Sequence, residues 1–382
     1  MHVLIIPSWY RTPSLPLNGS FFREQAIALV KAGCRVSLLY WYNDAVDKAY
    51  FEELDDEGVR TVFVHYKRSP YHINFLLERH YVMEAFRRFF GTALPDIIHV
   101  HSYSATKYAR MIARKYPIPY IVTEHSTAFA RKLLTRQSKR TARKGFQKAQ
   151  RVIAVSDGLR EHLKPYCDKP IAVIPNMVSD LFWASPPAEK AATPPDPGVC
   201  FRFVSVGYLT RKKGMDMLLS AFARLRETHP SAELVICGGG EEAAALKDQA
   251  EREGSSSSVS FLGNVPREEV HRQLEQAHAF VLASRVETFG IVFIEALACG
   301  KPIVMTETDA AHTIVNSSNG LVVPIDDPAA LAESMARVMD HYKNFDPAAI
   351  REDCRRRFSE EAVSQKIIEV YQDVLKETKI KK

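Results

Sequence analysis

Short apolar runs alternate with amphipathic stretches along nearly all of the 382 residues, and this alternation limits the possible folds more than any other feature. Residues 3–6 form a buried-strand run, and residues 21–32 have helical spacing. Gly33 stands where a helix C-cap would, just before the apolar run 35–40. That is a βαβ unit. Further strands are predicted at 61–65, 97–101, 120–123, 152–155 and 171–174, with helical segments between most of them. Strands that alternate with helices predict a parallel, doubly wound α/β sheet.

The pattern breaks at 185–198, a Pro- and Ala-rich stretch without a periodic apolar face, and a second series follows at 202–206, 233–237, 259–262, 279–282, 302–305 and 320–323. The expected organisation is an amino-terminal domain over 1–183, a linker over 184–199 and a second domain from residue 200. With 46% apolar residues the chain has material for two cores, and about 100–200 residues per domain makes two the natural number. Two such Rossmann-like domains in tandem are expected to face a central cleft, since these sheets bind ligands at the carboxyl ends of their strands.

The net charge of +6 is mild and implies no nucleic-acid partner, but its distribution is uneven. Residues 1–183 contain 27 basic and 16 acidic side chains, against 24 and 29 in the remainder. Nine of those basic residues lie between Arg131 and Arg151 with no acid among them, a stretch that would suit an anionic membrane surface or simply water. Six scattered cysteines without a C-x-x-C pair suggest neither a zinc ribbon nor a disulfide framework. No secretory leader and no apolar run near the ~18 residues of a membrane span is evident. A cytoplasmic protein, peripheral at the inner face of the cell membrane, is therefore expected.

Three segments carry chemistry. Cys237-Gly238-Gly239-Gly240 joins a strand to a helix, where glycines let backbone N–H groups approach an anion such as phosphate, or form only a tight turn. Gly207-Tyr208-Leu209-Thr210-Arg211-Lys212-Lys213-Gly214 also ends a strand, and its cations could neutralise a diphosphate leaving group. In Ser284-Arg-Val-Glu287-Thr-Phe289-Gly290, a helix starting near Gly290 would carry Glu295 while Glu287 stood at its mouth. Ser284-x-x-Glu287 also fits a capping box. Glu295 lies among apolar neighbours, so it needs a partner, and a ligand hydroxyl would serve. The absence of G-x-G-x-x-G argues against a nicotinamide-dependent oxidoreductase.

This Glu-x7-Glu segment, followed by Ala-Cys-Gly-Lys-Pro302, resembles glycosyltransferases of family 4, which have the two-domain GT-B fold. The resemblance implies a retaining, metal-independent transferase that moves a sugar from a nucleotide diphosphate sugar, its co-substrate in place of a cofactor, to a glycan or lipid-linked acceptor. Polysaccharide or glycolipid biosynthesis is the implied setting. By the same resemblance Lys213 would hold the diphosphate, Glu287 the donor sugar hydroxyls and Glu295 the ribose. Phe289 and Gly290 would offer amides, Gly238 and Gly239 would approach the nucleotide, and Val265 would rest against its base. Gly19, in Asn18-Gly-Ser-Phe-Phe-Arg23, matches the family's first glycine loop, His125 its active-site histidine, and His99-Val-His101 the neighbouring strand end. Residues 358–382 would cross back to the first domain.

Three departures bear on the site. Tyr208 stands where the family has a phosphate-binding arginine, so Arg211 is expected to take over that contact. Asp309-Ala-Ala-His312 replaces a glycine pair near the sugar, and Met177 replaces a glycine. These departures also admit a catalytically inactive glycan-binding or assembly partner, and the fold admits a sugar-nucleotide epimerase. No Asp-x-Asp is present to hold a divalent ion, so no metal is expected.

Overall fold

The computed structural model describes the chain except for residues 16–17, 44–45, 47, 68, 70–73, 185–199 and 381–382. The predicted linker 184–199 thus lies almost wholly outside the described residues. The remainder folds as two units. The first comprises residues 1–155, 159–174 and 363–380, and the second 156–158 and 175–362.

The first unit is built on an eight-stranded sheet of β1 (His2–Pro7), β2 (Arg35–Asn43), β3 (Tyr50–Asp56), β4 (Val59–Tyr66), β5 (Ile97–His101), β6 (Tyr120–Glu124), β7 (Val152–Ala154) and β8 (Ile171–Val173). Their spatial order is β3-β4-β2-β1-β5-β6-β7-β8. β1, β5 and β6 are buried along their whole length, with His99, His101, Thr123 and Glu124 among the buried residues. All neighbours pair in parallel except β3, which runs antiparallel to β4 at the sheet edge. A wholly parallel sheet was expected, and the difference comes from a two-residue turn. Glu57 and Gly58 both take positive φ, 54° and 84°, the twist that a tight hairpin favours.

The second unit has a six-stranded parallel sheet of β9 (Phe201–Val206), β10 (Ala232–Cys237), β11 (Val259–Gly263), β12 (Ala279–Leu282), β13 (Ile303–Thr306) and β14 (Gly320–Val323). The order is β11-β10-β9-β12-β13-β14, so the strand order reverses between β9 and β12, where ligands bind in doubly wound sheets. Lys213 follows β9 and Glu287 follows β12, one on each side of this switch.

The unit boundaries depart from 183 and 358. Residues 175–183 belong with the second unit because Phe182 is buried against His271, with the Arg267 guanidinium 5.3 Å from its ring, and the Trp183 carbonyl accepts from Arg351. Residues 358–362 stay there too, since the Phe358 carbonyl accepts from the Val178 amide. The first unit gains residues 363–380, most of the helix Glu360–Ile380. No helix among the described residues is long and apolar enough to cross a membrane.

Candidate active site

In the second unit the turn Arg211–Lys213 leads through Gly214 into the helix Met215–Thr228. Gly214 is required there: its φ is +63°, and a Cβ would stand 1.9 Å from the Ala283 carbonyl oxygen. This close approach brings the turn against the segment after β12. Lys213 Nζ donates to Glu287 Oε2 at 2.6 Å, and both side chains are largely buried, at 15% and 12% exposure. The Lys213 stem lies over Gly207, 3.6 Å from where a Cβ would be. The predicted diphosphate and sugar residues are thereby brought into one ion pair.

Arg285, which the sequence reading passed over, ties these two segments together. Its amide donates to the Lys212 carbonyl at 2.8 Å, and Nη1 donates to the Arg211 carbonyl at 2.8 Å. The same guanidinium makes a two-point contact with Asp216, at 2.7 and 2.8 Å, and a third bond to Asp326 at 2.6 Å. A planar fork suits this task, since it fixes direction as well as charge.

The helix Ile291–Ala298 begins after Gly290, whose φ is +78°. No side chain caps it, so the Ser284–Glu287 capping box does not form. Phe289 is buried beside this glycine. Glu295 is only 5% exposed, and its partner within the chain is Arg267, whose Nη2 donates to Oε1 at 2.6 Å. Burial pushes the Glu295 carboxyl up, while the guanidinium acts against that shift.

The glycine run is explained by loop packing. A Cβ on Gly238 would stand 1.9 Å from the Gly207 oxygen, and one on Gly240 2.4 Å from the Leu209 oxygen. The Gly239 amide donates to Asn264 Oδ1 at 2.8 Å, next to half-buried Val265. Tyr208 is 62% exposed and Arg211 is exposed, with no cation–ring contact between them among the described residues.

In the first unit Gly19 takes φ +71° ahead of the helix Ser20–Lys31. Arg23 is committed to the β3–β4 hairpin through Asp56 and Glu57. His99 and His101 are fully buried on alternate positions of β5. His99 Nδ1 is 2.6 Å from the Tyr371 hydroxyl and Nε2 is 2.7 Å from Thr123 Oγ1. With both nitrogens engaged, His99 is not set out as a metal ligand. His101 Nδ1 lies 3.0 Å from His125 Nε2. Glu124, wholly buried, accepts from the amides of Tyr103, His125 and Ser126 at 2.8–3.0 Å. Burial raises its pKa to about 7, against the pull of those bonds. Burial also lowers His99 and His125 to about 3.

Comparison with known proteins agrees with this organisation. The profile "Glycosyltransferase Family 4" matches residues 19–180, and "Glycosyl transferases group 1" matches residues 197–364. Glycogen synthase of Mycobacterium tuberculosis is 27% identical over 380 residues, covering 93% of this chain and 89% of that protein. Among solved structures, sucrose-phosphate synthase from Thermosynechococcus elongatus superposes with a TM-score of 0.76 at 19% identity, covering 98% of both chains. HepE of Anabaena, in complex with UDP and glucose, has a TM-score of 0.75 at 18% identity, covering 98% of this chain and 100% of its own. The two profiles follow one another along the chain as the two sheets do, and the chain belongs to the family 4 glycosyltransferases, enzymes of the GT-B fold.

Proposed function

We propose that this glycosyltransferase uses a nucleoside diphosphate sugar as donor, transfers the sugar with retention of configuration, and requires no divalent metal. The observation that carries this reading is the Lys213–Glu287 pair at the point where strand order reverses. A diphosphate reaching Lys213 competes with the Glu287 carboxylate for the ammonium, and the freed carboxylate can accept hydrogen bonds from sugar hydroxyls. Lys213 then offsets charge on the leaving diphosphate where little water is present, so its effect is strong. Exposed Arg211 supplies the second cation at the place where Tyr208 brings none. Gly238, Gly239 and Val265 serve the nucleotide, Phe289 and Gly290 offer amides, and Glu295, oriented by Arg267, serves the ribose. Gly19 and His125, both in the first unit, are proposed substrate-binding residues of that unit. HepE, of the same fold, holds UDP and glucose, which supports a donor of this class.

The acceptor is proposed to be a glycan or a lipid-linked saccharide. On the helix Arg136–Lys148, Ala142 and Phe146 face inward while Arg136, Lys139, Arg140, Arg143, Lys144 and Lys148 are exposed. None of these six pairs with a carboxylate among the described residues. Each cation would add about 1 kcal/mol at an anionic lipid surface. Nucleoside diphosphate release from a panel of sugar nucleotides, with and without acceptors and with a chelator, tests the reaction. Lys213→Ala is expected to lower turnover about 10²-fold. Unchanged turnover in the folded variant would overturn the role of Lys213, and donor interconversion without release would indicate an epimerase. Flotation on anionic but not zwitterionic vesicles tests the membrane surface.

A further inference from the structure

The helix Thr106–Lys115 carries Arg110 and Arg114 one turn apart, so both project from the same face. With Lys148, the last residue of the helix Arg136–Lys148, they line a recess of about 480 Å3. No acidic side chain among the described residues lines it. Its wall includes Ile118 and Pro119, just before β6, and Thr378 near the end of the helix Glu360–Ile380. All of these belong to the first unit. The recess lies at the amino ends of the strands, whereas His101 and His125 stand at carboxyl ends. The five residues of β6 separate the two ends by about 16 Å.

Arg110 is the residue that most needs a partner. It is half-buried in mid-helix, yet its guanidinium makes no hydrogen bond, ion pair or ring contact among the described residues. Arg23, Arg60, Arg226 and Arg267 are half-buried too, and each donates to a carboxylate or a carbonyl. Arg114 and Lys148 also have no carboxylate among the described residues. They stand in the last turns of their helices, where the backbone dipole favours a cation, but Arg110 does not. Its charge reaches Tyr120, whose hydroxyl burial makes less acidic while the guanidinium acts against that shift. Five N–H donors without an internal partner, beside two further cations and an apolar wall, match a phosphate group on an organic body. Three full positive charges outweigh about half a negative charge from each of the two helix ends. A bare phosphate would leave the Ile118–Pro119 wall and most of the volume uncovered.

We propose that this recess is a second ligand site, which binds the phosphate of a phosphomonoester through Arg110, Arg114 and Lys148 and lays its organic body against Ile118 and Pro119. A ligand that fills the recess also meets Thr378 and braces the end of the last helix. Tyr371 lies two turns earlier on that helix, about 10 Å along its axis, and bonds His99 on β5. Occupancy therefore tightens the packing of the last helix against β5. The phosphate can come from a soluble compound or from a lipid headgroup, since the chemistry is the same.

Two arms separate these sources in the full chain: calorimetric titration with phenyl phosphate and with inorganic phosphate, and flotation on phosphatidylcholine vesicles with and without phosphatidic acid. Binding of phenyl phosphate, about threefold or more tighter than inorganic phosphate, assigns a soluble ligand. Flotation that requires phosphatidic acid, without binding of phenyl phosphate, assigns a headgroup. In the arm that responds, Arg110→Met should weaken binding about tenfold or more. Arg35→Met, which removes an equal charge from an exposed position at the start of β2, should change it less than about threefold. Lys213→Ala, in the second unit, should bind like the parent, which separates this site from the diphosphate role proposed for Lys213. Arg110→Met should also melt with the parent, since Arg110 holds nothing within the chain. Amide exchange in peptides spanning residues 367–380 should slow at least about twofold on binding. No binding in either arm, equal loss in Arg35→Met and Arg110→Met, loss in Lys213→Ala, a lowered melting temperature of Arg110→Met, or unchanged exchange in the bound protein would each overturn the proposal.

Discussion

The buried histidines make the first unit sensitive to acid, by an amount that follows from their environments. His2, His99 and His125 are lowered to about 4, 3 and 3 by burial, and His101 falls well below the usual imidazole value for the same reason. All four folded-state values lie below the unfolded value near 6.5, so the unfolded chain takes up protons first and stability falls as pH drops below about 6.5. Glu124 acts in the opposite direction. Its folded pKa of about 7 exceeds the unfolded value of 4.5, so the folded state gains a proton, and stability, as pH falls through 7. Between pH 7.5 and 5.5 each imidazole costs about 1.4 kcal/mol and Glu124 returns about 2, leaving a net loss on the order of 3–4 kcal/mol. For a unit of ordinary stability, about 5–15 kcal/mol, that is a large fraction. Urea midpoints for peptides of β5 and β6, read by pulse hydrogen exchange at one fixed labelling pH, measure it locally. Glu124→Gln removes the opposing group and should enlarge the loss to about 5 kcal/mol. A loss below about 1 kcal/mol, or the same pH slope in Glu124→Gln, would show that these groups titrate alike in both states.

Three further outcomes are expected. Arg285→Met frees the Lys213 turn from the Glu287 segment and should lower transfer at least tenfold in a folded protein; wild-type turnover would mean that Gly214 packing suffices to position them. Arg267→Met leaves Glu295 buried without its cation, costing about 2–3 kcal/mol at pH 8 and less as pH falls, since burial favours the protonated carboxyl; thermal melts should show Arg267→Met with Glu295→Gln recovering most of the loss. Gly238→Ala forces a Cβ into the Gly207 carbonyl and should destabilise the second unit by more than about 2 kcal/mol, whereas Gly207→Ala, with 3.6 Å of room, should cost under about 1 in chemical denaturation.

Short apolar strands were legible in the sequence almost to the residue: β5 and β12, buried throughout, and the edge strand β14 have their predicted bounds. β3 was not, because Tyr-Phe-Glu-Glu-Leu-Asp-Asp lacks an apolar run, and as an edge strand it needs only one face covered and one neighbour. Lys213, Glu287 and Glu295 were recognisable as candidates from their segments, but the pairing of Lys213 with Glu287 joins residues 74 apart. Arg285 reads as an ordinary residue in a short motif, since its partners Asp216 and Asp326 lie 69 and 41 positions away. His101 ends β5 and His125 follows the neighbouring β6, 24 residues later. Periodicity placed His101 at a strand end and His125 just beyond one, yet nothing local says that their rings meet. The Gly238–Gly240 run shows the converse: close backbone packing and ligand approach call for the same residue, so sequence could not separate them.

The Tyr371–His99 contact sets an order on biosynthesis. A strand made within the first hundred residues acquires this partner only after the intervening second unit has been translated. Residues 175–362 are contiguous and can close while Val363, Ile367, Tyr371 and Val374, all buried in the finished protein, have yet to leave the ribosome. The nascent chain therefore carries a completed later domain behind an unfinished earlier one, the reverse of the usual vectorial sequence. Chaperone engagement during translation should concentrate on β1, β5 and β6. A premature stop near residue 362 would damage the amino-terminal sheet while sparing the sheet encoded just upstream of the stop.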